Sequence, residues 1–105
     1  MGYIQVPERV QINAVAFKEG DAWVAQGLEY DIVAHAGDFQ DLPDAFSRAV
    51  MENICITEHL GRAPLAGIDP APQRFHEMFN AARVELTPTR PVEPALADVK
   101  VRVAA

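Results

Sequence analysis

The residues best suited to chemistry are two carboxylates, Glu29 and Asp31, in the run GLEYDIVAHAGD. On a strand, positions i and i+2 share a face, so the two carboxylates could lie side by side as ligands for metal-assisted hydrolysis. A two-metal site needs further acids, and the nearest along the chain are Asp38, Asp41 and Asp44. Two of these are expected at a helix start, so we interpret Glu29 and Asp31 as corner or solvent-facing acids. The sequence therefore predicts no catalytic residue, no metal ligand and no cofactor.

The other reactive side chains are three histidines, one cysteine and one serine. His35, His59 and His76 are too widely spaced for the short helical pairs that hold zinc, so we expect surface or half-buried imidazoles. Cys55 and His59 are four residues apart and could meet on one helix face, but no third group orients them. Cys55 is expected to be a small buried side chain, and Ser47 has no base at a fixed spacing. We do not expect an enzyme.

Length and composition are those of one domain, or of a small domain with an arm. The chain has 105 residues, of which half are hydrophobic and 23% are charged, as in ordinary globular proteins. Its longest apolar run is a handful of residues, too short to span a membrane. Neither a basic flank nor an apolar block follows Met1 and Gly2, so no secretory signal is predicted. We expect a cytoplasmic protein.

The charge distribution favours some partners over others. The net charge is −6 and the basic residues are scattered singly. Binding to nucleic acid requires clustered Lys and Arg that displace counterions from phosphates, so binding by the chain on its own is not expected. An acidic protein suits a basic protein partner, because complementary potentials speed association.

The first third of the chain has the pattern of three short strands joined by tight turns. Residues 11–17 alternate loosely between two faces, and short apolar runs at 23–28 and 31–36 are interpreted as the returning strand and a third strand. Gly20 is expected to provide a positive φ in the first turn. Gly27, inside the second strand, suggests a bulge or a close backbone contact. The sequence predicts an antiparallel meander.

A long helix is predicted over residues 42–60, ending at Gly61. Asp41 is expected to be its N-cap, with Pro43 in the first turn and Asp44 completing a box-like arrangement. The helix would cover one face of the sheet, with Trp23 buried beneath it. Its apolar stripe comprises Leu42, Phe46, Ala49, Val50, Ile54 and Ile56.

The second half of the chain contains a proline-rich loop over 62–72 and a short amphipathic helix over 73–83. On that helix, Phe75, Met78 and Phe79 follow the i, i+3, i+4 spacing of one face. They could pack into the core or into an interface, and the sequence does not separate these two roles.

The C-terminal region is predicted to be a proline-stiffened arm that ends in a strand. Prolines at positions 88, 91 and 94 favour an extended conformation. Val99, Val101 and Val103 alternate with charged residues, as in a half-buried strand. That strand must pair with its own sheet edge or with another subunit, because its backbone groups need partners. We assign these valines, together with the α-helical stripe of Phe75, Met78 and Phe79, to a possible oligomer interface.

The run GDAWVAQGLEYDIVAHAGD and the following DLPDAFSRAVMENI resemble the HicB-like domain of bacterial toxin–antitoxin systems. The resemblance covers residues 11 to about 61. It lies in an aromatic-x-Ala strand, a Leu-Glu-x-Asp-Ile corner, a third strand ending in glycine, and a helix with Ala and large apolar residues on one face. The matching positions are Trp23, Ala25, Leu28, Glu29, Asp31, Ile32, Gly37, Asp38, Ala45 and Phe46.

The resemblance implies a partial ribonuclease-H-like fold without that enzyme's catalytic acids. The α+β fold we predict is a three-stranded antiparallel meander packed on one long helix. Residues 1–61 would form this β-β-β-α core, and 62–105 an extension with the short helix, the arm and the terminal strand. The extension fits neither a helix-turn-helix nor a ribbon-helix-helix, so we identify a stand-alone member without the DNA-binding domain that many members carry.

The resemblance also implies partners. HicB-like proteins assemble as dimers or tetramers, and the cognate partner of an antitoxin is a small basic mRNA-cleaving toxin. Contacts with such a toxin are assigned to Trp23, Glu29, Asp31 and Asp38. A different hypothesis is a nucleic-acid-binding or transcription-regulatory protein whose basic surface forms only in the oligomer, from Arg83, Arg90, Lys100 and Arg102. A hydrolase using Glu29 and Asp31 is the third.

Overall fold

The computed structural model describes residues 10–86 and 97–104. It has an α+β fold, a five-stranded mixed sheet with two helices, of which one is long. The strands are β1 (Val10–Glu19), β2 (Ala22–Gly27), β3 (Val33–Ala36), β4 (Val84–Leu86) and β5 (Ala97–Val103), and the helices are α1 (Leu42–His59) and α2 (Gln73–Ala81). The predicted proline arm and Arg90 lie outside the described residues. No helix in the described ranges has the length and apolar character needed to cross a membrane.

The strand order in the sheet is β3-β2-β1-β5-β4. The first three strands form the predicted antiparallel meander. The C-terminal strand β5 pairs in parallel with β1 of its own chain, with Ala14 opposite Val101. The short strand β4, which the sequence did not predict, pairs antiparallel with β5. The backbone of β5 thus finds its partners within the chain, and one sheet contains strands from both halves of the sequence.

The core lies between α1 and one face of the sheet. Leu42, Phe46, Val50 and Ile54 are spaced four residues apart on α1, and all four are fully buried. The sheet face beneath them is lined by small side chains, Ala14, Ala16, Ala25 and Ala34. Because alanine adds little height to a pleated surface, the large helix side chains can reach the sheet and fill the interior. The predicted packing of one long helix on the meander is confirmed.

Three details of the predicted helix α1 are wrong. Asp41 makes no side-chain capping bond, because it already has helical dihedrals in a 3-10 turn over Phe39–Asp41, whereas a capping residue is normally extended. Ile56 is 57% exposed, because it lies two residues, or about 200° of helix rotation, from buried Ile54. Cys55, which was predicted to be buried, is exposed, because it follows Ile54 by one residue and so points away from the buried row.

The second helix, α2, covers the opposite face of the sheet. Phe17 and Val15 point away from the α1 face, since side chains alternate along a strand. The Phe17 ring stacks on Phe75 of α2 at a centroid distance of 5.9 Å, and Val15 is fully buried. The helix ends at Ala81, two residues before the predicted end, because Ala82 is extended and leads into β4.

The loop between the helices inserts Leu65 into the core. Leu65 is fully buried and has a φ of 63°, a left-handed conformation that is costly for a residue with a side chain. Its N–H donates to Thr57 Oγ1 at 2.9 Å, and the same hydroxyl donates to the Ile54 carbonyl at 2.9 Å. Thr57 is itself buried. One hydroxyl of α1 therefore holds the loop in its strained conformation.

The two buried hydroxyls of α1 should respond differently to removal. Thr57→Val keeps the side-chain shape but leaves the buried Leu65 N–H without its acceptor, so we expect a loss of about 1–3 kcal/mol in the free energy of unfolding. Ser47 Oγ is buried and has no hydrogen-bond partner among the described residues. Ser47→Ala should therefore leave stability unchanged or raise it. Urea denaturation of both variants is the measurement, and equal losses would contradict the assigned role of Thr57.

Candidate functional site

The corner segment, residues 27–32, joins β2 to β3 through a very close backbone approach. The Gly27 N–H donates to the Ile32 carbonyl at 2.7 Å. A Cβ atom added to Gly27 would lie 2.6 Å from the Tyr30 carbonyl oxygen and 3.1 Å from the Ile32 carbonyl oxygen. Side chains do not tolerate such distances to backbone atoms, so glycine is required here. The close contact predicted at this glycine is confirmed.

At the end of the β1–β2 ladder, the Glu29 carboxylate accepts a hydrogen bond that a backbone carbonyl of the neighbouring strand would normally accept. The Leu28 N–H donates to the Asn13 carbonyl at 2.8 Å, but the Leu28 carbonyl accepts from the Ala71 N–H at 2.9 Å. The Asn13 N–H donates instead to Glu29 Oε1 at 2.7 Å, and Asn13 Nδ2 donates to Glu29 Oε2 at 2.7 Å. Both carboxylate oxygens thus accept hydrogen bonds from one residue of β1. The Leu28 carbonyl is therefore available for the Ala71 N–H, in the loop before α2.

Asp31 is held by a different amide. Its Oδ1 accepts from Gln26 Nε2 at 2.7 Å, and the buried Gln26 side chain also donates to the Gly27 carbonyl at 3.0 Å. The Asp31 N–H donates to the Asp69 carbonyl at 2.7 Å. This bond turns the backbone away from β2, so β3 begins at Val33 and not at residue 31 as predicted. Glu29 and Asp31 have separate structural partners and do not form a shared ligand set.

The three histidines lie on three different elements of the fold. His76 is half-buried and lies 3.1 Å from the Ala71 carbonyl through Nε2. His35 on β3 and His59 at the end of α1 are exposed. Within residues 10–86 and 97–104, no group of three or more His, Cys, Asp or Glu side chains is placed to hold a metal ion.

An open sheet edge adjoins the corner. β3 is the outermost described strand on its side of the sheet. The Gly27–Ile32 bond and the β2–β3 register place the bonding groups of Ala34 and Ala36 toward β2. The N–H and C=O groups of Val33 and His35 therefore point outward, and we call these groups the β3 edge. The Val33 side chain is 41% exposed.

Acidic residues stand on both sides of the β3 edge. Residues 29–44 contain five acids and no lysine or arginine. Glu29 and Asp31 precede the strand, and Asp38 and Asp41, both exposed, follow it. Trp23 lies one strand further in, half-buried and packed against the core, with its ring centroid 4.8 Å from that of Phe39. Of the predicted contact residues, Glu29, Asp31 and Asp38 are all exposed, and the first two already accept side-chain hydrogen bonds.

The residues assigned to an oligomer interface pack largely within the chain. Phe75 stacks on Phe17, and the Phe79 ring lies 4.4 Å beneath the Arg102 guanidinium. Val101 is fully buried and has no exposed surface to offer another subunit. Val99 and Val103 are half-buried against the same core, and Met78 is half-buried on α2. An interface through the partly exposed members of this set stays a prediction.

The basic residues of the nucleic-acid hypothesis are partly neutralised. Arg102 Nε lies 3.3 Å from Glu85 Oε1, and Lys100 Nζ lies 4.0 Å from the same oxygen. Arg83 is exposed. Two of the cations proposed for phosphate contacts share one carboxylate, which weakens them as a basic surface.

The chain matches no family model, no curated protein and no solved structure. The HicB-like resemblance of residues 11–61 therefore rests on the residues that carry it.

Gly27→Ala should destabilise the protein. The added Cβ must displace the Tyr30 backbone, and overpacking of this kind costs about 1–3 kcal/mol. Gly37→Ala is the matched control, because a Cβ there meets nothing within 4 Å; that change should be neutral or stabilising by up to about 1 kcal/mol. Thermal and urea unfolding of both variants test this. Equal stability of the two would show that the corner does not depend on Gly27.

Glu29→Ala should also lower stability, because the Asn13 backbone N–H and side-chain amide lose their acceptors. We expect a loss of about 0.5–1.5 kcal/mol in the free energy of unfolding, measured by urea denaturation, because both hydrogen bonds are exposed and water can replace the lost acceptor. Glu19→Ala removes an exposed carboxylate at the other end of β1 and should change stability by less than about 0.5 kcal/mol. An unaltered Glu29→Ala midpoint would mean that the carboxylate is not a structural acceptor.

Proposed function

We propose that this chain is a HicB-like protein-interaction module without catalytic activity, an antitoxin or an orphan derivative of one. It forms homo-oligomers and masks a small basic mRNA-cleaving toxin. The observation that carries the proposal is an open sheet edge at β3 bordered by acidic residues, next to a corner whose carboxylates are committed to structural hydrogen bonds.

The order of the elements supports the family part of the proposal. Three antiparallel strands followed by one long helix occupy residues 10–59, in agreement with the β-β-β-α order that the resemblance implies. On this proposal the fold is partially ribonuclease-H-like, and β4 and β5 extend its sheet.

The engagement of the corner acids gives both of them a structural role. A general base or a metal ligand needs a lone pair directed at a substrate or an ion. Both Glu29 oxygens accept hydrogen bonds from Asn13, and Asp31 accepts one from Gln26. These contacts account for the two carboxylates without any substrate.

The mechanism proposed is steric and electrostatic. A net charge of −6 attracts a basic partner and raises the rate of encounter. The rigid surface formed by β3, the corner and the start of α1 then covers the partner's active groove. Asp38 provides a charged contact, while Glu29 and Asp31 contribute chiefly by holding the corner in place.

The test is isolation of the full chain with its partner, followed by an assay of that partner. Affinity-tagged protein expressed in its own host should retain a stoichiometric, small and basic protein, identified by mass spectrometry. The purified partner should cleave mRNA, and one equivalent of the chain should reduce cleavage at least ten-fold. An unrelated protein of equal net charge should not inhibit.

Two results would contradict the proposal. One is steeply salt-dependent binding of the chain to mixed DNA or RNA without a protein partner, as expected of a nucleic-acid-binding protein. The other is hydrolase turnover, with Mg²⁺ or Mn²⁺, that disappears in the Glu29→Gln/Asp31→Asn variant while the fold is retained.

A further inference from the structure

The β3 edge, which no other strand of the described residues covers, defines where and how a partner would bind. An exposed strand with free N–H and C=O groups is a template for a further strand, which forms main-chain hydrogen bonds with it. We propose that the β3 edge receives an extended basic segment of another protein as a sixth strand of the sheet. This inference rests on the proposed function in assigning a basic partner, and it adds the site and the mode of recognition.

The backbone geometry provides the hydrogen bonds. The outward groups of Val33 and His35 offer two N–H donors and two C=O acceptors at the two-residue spacing of a strand. The strand has four residues and lies between two acidic segments, so the segment it receives is short. α2 packs mainly on β1, and the side chains of Val33 and His35 are exposed on that face.

Charge selects a basic segment and disfavours a second copy of the chain. Pairing two β3 strands antiparallel would bring Asp31 of each copy near Asp38 of the other. Parallel pairing would align each acidic segment with its own equivalent. Both arrangements place like charges across the new ladder, which destabilises it. A segment rich in Lys or Arg meets complementary charge at both ends of the strand.

A groove beside the edge can hold one side chain of the added strand. It has a volume of about 410 Å³ and lies between the end of β3 and the first turns of α1. Its lining comprises His35, Ala36, Gly37, Asp41, Asp44, Ala45 and Arg48. The small residues leave room for the aliphatic stem of a Lys or Arg, and the exposed Asp41 lies at the groove to meet its charge. A basic side chain on the α1 face of the added strand fits this groove.

The experiment is a titration of the ¹⁵N-labelled full chain with a synthetic heptapeptide of alternating lysine and valine. Binding should be saturable and should shift the amide signals of Val33 and His35 most. A heptapeptide of alternating glutamate and valine should not bind. The lysine peptide with prolines in place of two of its valines, which keeps the charge and lacks N–H groups for pairing, should bind at least ten-fold more weakly.

Matched variants separate backbone pairing from charge. His35→Pro removes an outward N–H without removing a bond to β2, a position where an edge strand tolerates proline, and it should weaken peptide binding at least ten-fold. His35→Ala keeps the N–H and should bind within three-fold of the unaltered chain.

Asp38→Asn/Asp41→Asn should weaken binding about three- to ten-fold at low salt. The equal charge change Glu58→Gln/Glu77→Gln, in the last turn of α1 and on α2, should have no effect.

Several outcomes would overturn the inference. They are equal binding by the proline and alanine variants of His35, equal binding of the proline-containing peptide, and peptide-induced shifts centred on α2. A fourth is shifts of Val33 and His35 that depend on protein concentration without peptide, which would place a second copy on the edge. If the His35→Pro variant still inhibits an isolated toxin, this inference fails and the proposed function stands. If the peptide binds but no toxin exists, the inference stands and the proposed function fails.

Discussion

The organisation of this protein depends on the absence of a side chain at Gly27. Because Gly27 has no Cβ atom, the Tyr30 and Ile32 carbonyls can approach the end of β2 closely. This approach folds the chain into a tight corner, from which the Glu29 carboxylate reaches the β1 backbone. The corner also forms backbone hydrogen bonds with Asp69 and Ala71, so it ties the meander to the segment before α2.

The same corner explains why β3 is both short and open. Asp31 bonds to Gln26 and to the loop at Asp69, so strand pairing resumes only at Val33. On the other side of the strand, the 3-10 turn leads directly into α1, whose buried row fixes the helix across the alanine-lined face. β3 is thereby held at both ends, while its outer groups have no partner strand within residues 10–86 and 97–104; strand addition requires such preorganisation.

The sequence predicted the features that have a local physical signature. The helical period identified the buried row from Leu42 to Ile54. Glycine was expected to provide a positive φ at Gly20 and to allow a close backbone contact at Gly27, and both are found. Features decided by distant residues were missed. Alternating valines show that one face of β5 is buried, but they do not reveal that its neighbour is β1. Likewise, Glu29 and Asp31 share a strand-like spacing, yet their partners Asn13 and Gln26 lie on two other strands, so composition alone suggested a carboxylate pair.

The central claim, that the β3 edge is unpaired and available, is tested most directly by hydrogen exchange of the free protein observed by NMR. Amides bonded within a sheet are protected, whereas amides open to water exchange rapidly. The account predicts strong protection at Ala34 and Ala36 and little at Val33 and His35, in strict alternation along four residues. Equal protection at all four positions would show that another strand or a second copy already covers the edge, and would contradict the account.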